Sequence, residues 1–204
     1  MADPGFKLAD GYTDLPAGYI AAIATSLEMR APPPVRPAPA VPGLVIRRVE
    51  RPETGWYRDL FRRIGEPWLW QSRLRLSPGA LEATIRSPDV EIWALAEDGR
   101  DEGLLELDFR AARTCELAFF GLTMPLVGRG AGRMLMGHAI ARAWRHPIDR
   151  FWLHTCTLDH PGALAFYMRS GFRPFHLQLE LAPDPRLDGT LSPEAAPQVP
   201  IIRP

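Results

Sequence analysis

Cysteine is scarce. Cys115 and Cys156 are the only two in 204 residues, and both sit in apolar, strand-like runs. They read as buried free thiols rather than a disulfide framework, a usage that fits the reducing cytoplasm. Net charge is missing as well. Lys plus Arg and Asp plus Glu each number 24, so no global positive field exists to hold nucleic acid or an anionic membrane. No apolar run approaches the ~20 residues a membrane helix needs. The opening "MADPGFKLAD" lacks the basic-then-apolar pattern of a secretory leader. No cluster of His, Cys and acidic residues has ligand spacing, so no metal is expected. The absences predict a cytoplasmic protein without a nucleic-acid or membrane partner.

What is plentiful is apolar residues, 46% of the chain, and proline, 22 in all. The first is enough for one domain with a real core. The second marks boundaries, because the prolines crowd both ends. "RAPPPVRPAPAVPG" (30–43) is expected to be extended and polyproline-like, since Pro fixes φ and cannot donate a ladder hydrogen bond. The preceding "GYIAAIATSLEM" reads as a short amphipathic helix. The tail after residue 181, "PDPRLDGTLSPEAAPQVPIIRP", has no periodicity. This divides the chain into an N-terminal arm (1–43), a central domain (44–181) and a Pro-rich tail (182–204). The arms are expected to wrap the domain or a partner subunit, and a homodimer is one arrangement they would serve.

The central domain alternates in period. "LVIRRV" reads as a strand, and "ETGWYRDLFRRIG" places Trp56, Leu60, Phe61 and Ile64 at helical spacing. "SPGALEATIRS" opens with a Ser cap and a first-turn Pro. "VEIWALAE" and "LLELDFR" flank a turn as a hairpin. "CELAFFGLTM" is a third long strand, followed by a helix with Ala131, Leu135, Ala139 and Ala143 on one face. "RFWLHTCTL" is a strand, "HPGALAFYMRSG" a helix ended by Gly171, and "FHLQLEL" a last strand. The helix between "CELAFFGLTM" and "RFWLHTCTL" makes a crossover, so those two strands should be parallel. The expected fold is α+β, layered α/β/α, with a mixed, mostly antiparallel sheet.

Between the third strand and its helix lies "VGRGAGRMLM" (Val127–Met136). It is not a P-loop, which requires Gly-Lys-Ser/Thr, nor a dinucleotide fingerprint, which requires Gly-x-Gly-x-x-Gly after the first strand of its unit. That spacing also disfavours a nicotinamide-dependent oxidoreductase. Gly128, Gly130 and Gly132 alone fit either a turn that needs glycine conformations or a helix N-terminus open to a pyrophosphate.

The strand–"GRGAGRML"–helix unit, followed by a strand and "DHPGALAFYMRSGF", resembles the GNAT superfamily of acyl-CoA-dependent N-acyltransferases. The resemblance covers roughly 44–181. Gly130 and Gly132 match the glycines of the family's pyrophosphate loop. His160, Ala163, Tyr167, Gly171 and Phe172 match its later Asn-x-x-Ala, Tyr and Gly-Phe pattern. Two positions depart: Val127 stands where Arg or Gln is usual, and His160 where Asn is common.

The resemblance implies a splayed parallel strand pair that takes the pantetheine arm of acetyl-CoA, the acyl donor. Leu122, Thr123 and Met124 would offer backbone groups to the arm and the thioester carbonyl. Gly128, Arg129, Gly130, Ala131, Gly132 and Arg133 would hold the pyrophosphate, with Arg129 assisting from the side. His160 and Ala163 would border the arm. Tyr167 takes the general-acid position, with a core aromatic as its structural alternative. Glu116, among Leu117, Phe119 and Phe120, is the first candidate base, and His154 the second. Trp68 and Trp70 would border a small amine acceptor or simply pack in the core. Asp159 is expected to cap the helix after it. A non-catalytic acyl-CoA-binding module is the other function class this pattern allows.

Overall fold

The computed structural model describes residues 10–34 and 40–204. In chain order the elements are β1 (Tyr19–Met29), β2 (Leu44–Arg48), α1 (Thr54–Gly65), α2 (Ser72–Arg75), α3 (Pro78–Ile85), β3 (Val90–Glu97), β4 (Arg100–Asp108), β5 (Thr114–Leu122), α4 (Ala131–Ala143), β6 (Arg150–Cys156), α5 (Ala163–Arg169) and β7 (Arg173–Pro183). The strands form one sheet in the order β2-β3-β4-β5-β6-β1-β7. Only β5 and β6 run parallel; every other neighbouring pair is antiparallel. This is the mixed α+β fold expected from the element order. The polyproline expectation at 35–39 lies outside the described residues.

The stretch read as an N-terminal helix is a strand, and not a peripheral one. β1 lies between β6 and β7, pairing with both. The sheet therefore draws on residues before 44. Ile20, Ala22, Ala24 and Ser26 alternate along one face and are buried. Beyond Ser26 the β1–β7 register shifts, and Leu27 and Met29 are buried on the other face. The switch of buried face at the shift, with apolar Tyr19 and Ile23 exposed on the open face, removes the clean apolar–polar period of two that identifies a strand in sequence.

Two apolar clusters hold the layers together. On one face α4 lays Ala131, Leu135, Ala139 and Ala143, all fully buried, against Leu105, Leu117, Phe151 and Leu153 of the sheet. On the other face α1 and α3 pack Tyr57, Leu60, Phe61, Leu81 and Ile85 on Ile92 and Leu104. Ser77 caps α3, accepting from the Ala80 amide at 3.2 Å, with Pro78 in the first turn as the sequence implies. The short α2 was not expected. Among the described residues no helix is long and apolar enough to cross a membrane.

One irregularity in β5 sets up the site. Leu117 pairs with Leu107 and Phe119 with Glu106, which leaves Ala118 without a partner on β4. Such a bulge bends and over-twists its strand. It also turns Phe119 toward the α1 cluster while Phe120 and Leu122 face α4.

Candidate active site

The β5–β6 ladder is short. It pairs Thr114–Glu116 with Arg150–Trp152 and goes no further. Past the bulge the two strands part, and a cleft of about 860 Å³ opens between them. It runs from the N-terminus of α4 to the carboxylates of β4 and β5.

At the α4 end two of the three glycines take conformations that glycine favours. Gly128 and Gly130 have φ of +82° and +88°, which L side chains rarely adopt, and both line the cleft. Gly132 is helical and also lines it. The Met134 amide is the first to bond back, to the Gly130 carbonyl at 3.1 Å. The amides of Ala131, Gly132 and Arg133 before it have no helical acceptor, and the helix dipole is positive there. Pro125 sits in a short turn, Met124–Leu126, that redirects the chain from β5 into this loop.

Two candidates at this end are placed otherwise than expected. The Arg129 guanidinium bonds Glu97 (Nη1 to Oε2, 3.1 Å) and does not line the cleft. Arg133 and, from α5, Arg169 do line it. The Thr123 amide donates to the Glu102 carbonyl at 2.8 Å, and its hydroxyl to the Glu102 carboxylate at 2.6 Å. That amide is occupied. Leu122 and Met124 line the cleft on either side of it. Ala131 is fully buried beneath the loop.

Midway, Tyr167 lines the cleft from α5, packed edge-on against Phe120 and Phe172. Among the described residues its hydroxyl has no hydrogen-bond partner. Burial, and then the nearby Asp159 carboxylate, push the phenol well above its usual range. Ala163 and His160 lie on the same wall. His160 Nδ1 accepts from the Gly162 amide at 3.0 Å, so in the neutral ring the proton sits on Nε2, free to donate. Its ring meets Trp68 edge-on at 5.2 Å.

At the far end Glu116 and His154 face each other across the base of the split, Nδ1 to Oε1 3.8 Å. Burial raises the Glu116 carboxyl above the ordinary value; His154 opposes the shift, and Asp108, its partner across the β4 ladder, adds to it. Asp108 is held by Arg110, whose Nε and Nη2 both reach it. Arg73, from α2, lies 4.8 Å over the Phe119 ring and bonds the fully buried Glu106 at 2.5 Å. Tyr57 donates to the other Glu106 oxygen. Arg73, Asp108 and Arg110 all line the cleft, and none stood out in the sequence.

Trp68 and Trp70 both line the cleft and both are half-buried. A Cβ on Gly121 would sit 2.9 Å from the Trp70 indole, and one on Gly65 2.6 Å from it, so both glycines make room for the ring. The indole N–H donates to Asp159 at 3.0 Å. Asp159 also accepts from the Thr155 hydroxyl and the Cys156 amide. It therefore does not cap α5, as expected from sequence, but ties Trp70 to the end of β6. The reason is reach: α5 starts only at Ala163, with no side-chain cap. Cys115 is buried and Cys156 half-buried, and neither is bridged. Among the described residues no group of three His, Cys, Asp or Glu side chains is arranged to hold a metal.

Comparison with known proteins agrees with this geometry. A GCN5-related N-acetyltransferase from Sphaerobacter thermophilus shares the fold at 18% identity and a TM-score of 0.59, over 81% of this chain and 53% of that one. A functionally unknown conserved protein from Staphylococcus epidermidis aligns at 13% identity and a TM-score of 0.54, over 82% of this chain and 64% of its own. An IAA acetyltransferase from Bacillus cereus aligns at 20% identity and 0.51, over 65% and 79%. The chain thus spans about half to two thirds of the first solved structures it matches. No curated protein matches it in sequence. The sequence profile of the Acetyltransferase (GNAT) family matches residues 54–172, more than half of the chain, and the protein belongs to that family.

Proposed function

We propose that this protein is an N-acyltransferase that moves the acetyl group of acetyl-CoA to the primary amine of a small molecule by direct attack. The observation that carries the reading is the continuity of the cleft. One channel links unpaired helix-terminal amides, a buried phenol and a desolvated carboxylate, in the order that donor phosphates, leaving thiol and attacking amine require. The amides of Ala131 to Arg133, with the Arg133 side chain, suit a pyrophosphate. Val127 supplies no charge, so the backbone carries this end.

The chemistry balances with the residues present. The amine nitrogen attacks the thioester carbonyl carbon, and the C–S bond breaks as the tetrahedral centre collapses. The departing thiolate takes the Tyr167 proton, and the nitrogen loses a proton toward Glu116, directly or through water. A cleft-facing amide of the splayed β5 would stabilise the developing oxyanion. Trp68, Trp70 and Phe119 form an aromatic wall in the same cleft as Glu116 and Glu180, while Arg73 and Arg110 are already paired to Glu106 and Asp108. This end favours a cationic amine with an apolar body. Thiol release from acetyl-CoA, measured against a panel of amines, amino acids and peptides, tests the reading. Turnover with aryl- or alkylamines is expected. Silence across the panel with CoA binding retained would favour the non-catalytic module.

The base is tested by pH. A base works only when deprotonated, and burial raises Glu116, so kcat/KM should fall on the acid side at a pH above the ordinary carboxylate value. Glu116→Gln should abolish that limb and lower kcat/KM by about 10²-fold. His154→Ala should keep the limb. The reverse pattern would assign the role to His154.

A further inference from the structure

The C-terminal tail carries no candidate catalytic side chain and no periodicity, yet a set of buried hydrogen bonds folds it and ties it to the domain. Its hub is Arg186, fully buried with its partner Asp184. Nε and Nη2 form a fork on the carboxylate at 2.9 and 2.7 Å. Nη1 donates to the carbonyls of Ala195, Ala196 and Val199 at 3.1, 3.2 and 2.8 Å. One guanidinium thus folds 184–199 into a closed loop, a task its planar set of donors suits and a lysine does not. The loop is anchored to the sheet, where the Asp184 amide donates to the Gly18 carbonyl.

What the loop grips is the outside of the aromatic wall. The Ser192 amide donates to Glu66 Oε1 at 3.2 Å, and the Gln198 side chain to the Pro67 carbonyl at 2.7 Å. Asp188 accepts from Arg75 at 2.7 Å, at the end of α2. Leu191, Ala195 and Ala196 bury Leu69 together with Ile20. Leu69 has a φ of +57°, a left-handed conformation unfavourable for a branched side chain and kept only where surroundings impose it. It is the residue between Trp68 and Trp70. From inside, Asp159 and Phe119 hold Trp70; from outside, the tail bonds the Pro67 carbonyl and the Glu66 side chain before it and the Arg75 side chain after it.

We infer that the C-terminal loop 184–199 is a strap that fixes the Trp68–Trp70 wall, with Arg186 as its positioning residue. This rests on assigning that wall to the acceptor end. Among the described residues no hydrogen bond or apolar cluster joins the strap to the α4 loop or the α5 phenol, so loosening it should affect the acceptor and spare the donor.

The experiment replaces Arg186 with Met, and separately Gln198 with Ala, in the full chain. Hydrogen exchange is followed in 66–75 and, as a reference, in 131–143. For Arg186→Met, exchange in 66–75 should rise about tenfold and that in 131–143 stay near wild type. With tryptamine as the probe acceptor, its KM should rise about fivefold and that of acetyl-CoA change less than about twofold. Arg186→Lys should fall between. Gln198→Ala loses only the Pro67 contact and serves should the hub variant not fold; a smaller rise confined to 66–75 is expected. Equal acceleration in both segments, or none in 66–75, overturns the strap. Absence of wild-type turnover with tryptamine would count against the acceptor assignment, and the exchange data would still decide the strap.

Discussion

Tyr167→Phe should lower turnover by about 10²- to 10³-fold and leave the KM for acetyl-CoA within about twofold of wild type. The phenol has no hydrogen-bond partner among the described residues, so its oxygen serves no structural purpose there. The ring is nearly fully buried against Phe120, Phe166 and Phe172, and phenylalanine keeps all of that packing. Folding stability should therefore change by less than about 1 kcal/mol, since no intramolecular bond is lost. Burial raises the phenol, which favours its neutral form. It stays protonated through the neutral range and up to at least the ordinary tyrosine value of about 10. No basic limb in kcat should trace to it below that pH. Steady-state thiol release with a thermal melt of the same samples separates the two effects. An unchanged kcat would return Tyr167 to the core and leave protonation of the thiolate to water.

Much of the fold was legible because its signals are local. The helical period of "WYRDLFRRI", the alanine stripe of α4 and the Ser-Pro start of α3 each depend on residues within a few positions of one another. The parallel β5–β6 pair followed from the crossover alone. β1 was not legible, because its open face carries apolar Tyr19 and Ile23, its buried face switches after Ser26, and its alanines suit a helix equally well. The tail resisted for a different reason: its order comes from one arginine binding three carbonyls, which leaves no repeating pattern.

The candidate site divides in the same way. Its loop, Tyr167 and His160 lie in two short contiguous motifs. The end of the cleft proposed for the acceptor is assembled from α2, β4, β5 and β6, and no spacing in the chain announces that Arg73 meets Phe119 or that Asp108 lies across from Glu116. Arg129 and Asp159 are placed otherwise than expected for one reason: their neighbours in sequence suggest one partner, but Glu97 on β3 and Trp70 near α2 hold their side chains.

Glu106→Leu should be the most destabilising single change at this site, by about 3–5 kcal/mol. Glu106 is fully buried on β4 and accepts from both Tyr57 and Arg73. Removing it leaves a buried guanidinium without its counter-ion and a buried phenol without its acceptor. Those orphaned groups, rather than the strength of the lost pair, dominate the cost, because desolvation offsets most of what a buried pair gains. A triple variant, Glu106→Leu with Arg73→Met and Tyr57→Phe, should therefore recover to within about 1.5 kcal/mol of wild type. Urea unfolding midpoints at constant m decide between the outcomes. A single variant within about 1 kcal/mol of wild type would mean that Arg73 turns out to water through the cleft it lines. The same pair also bears on specificity. With Glu106 present, the Arg73 charge is neutralised before any acceptor arrives, as Arg110 and Asp108 neutralise each other, and the carboxylates of Glu116 and Glu180 set the sign of this end. Freed in the Glu106→Leu protein, Arg73 should repel a cationic amine, so that its KM rises while that of acetyl-CoA holds.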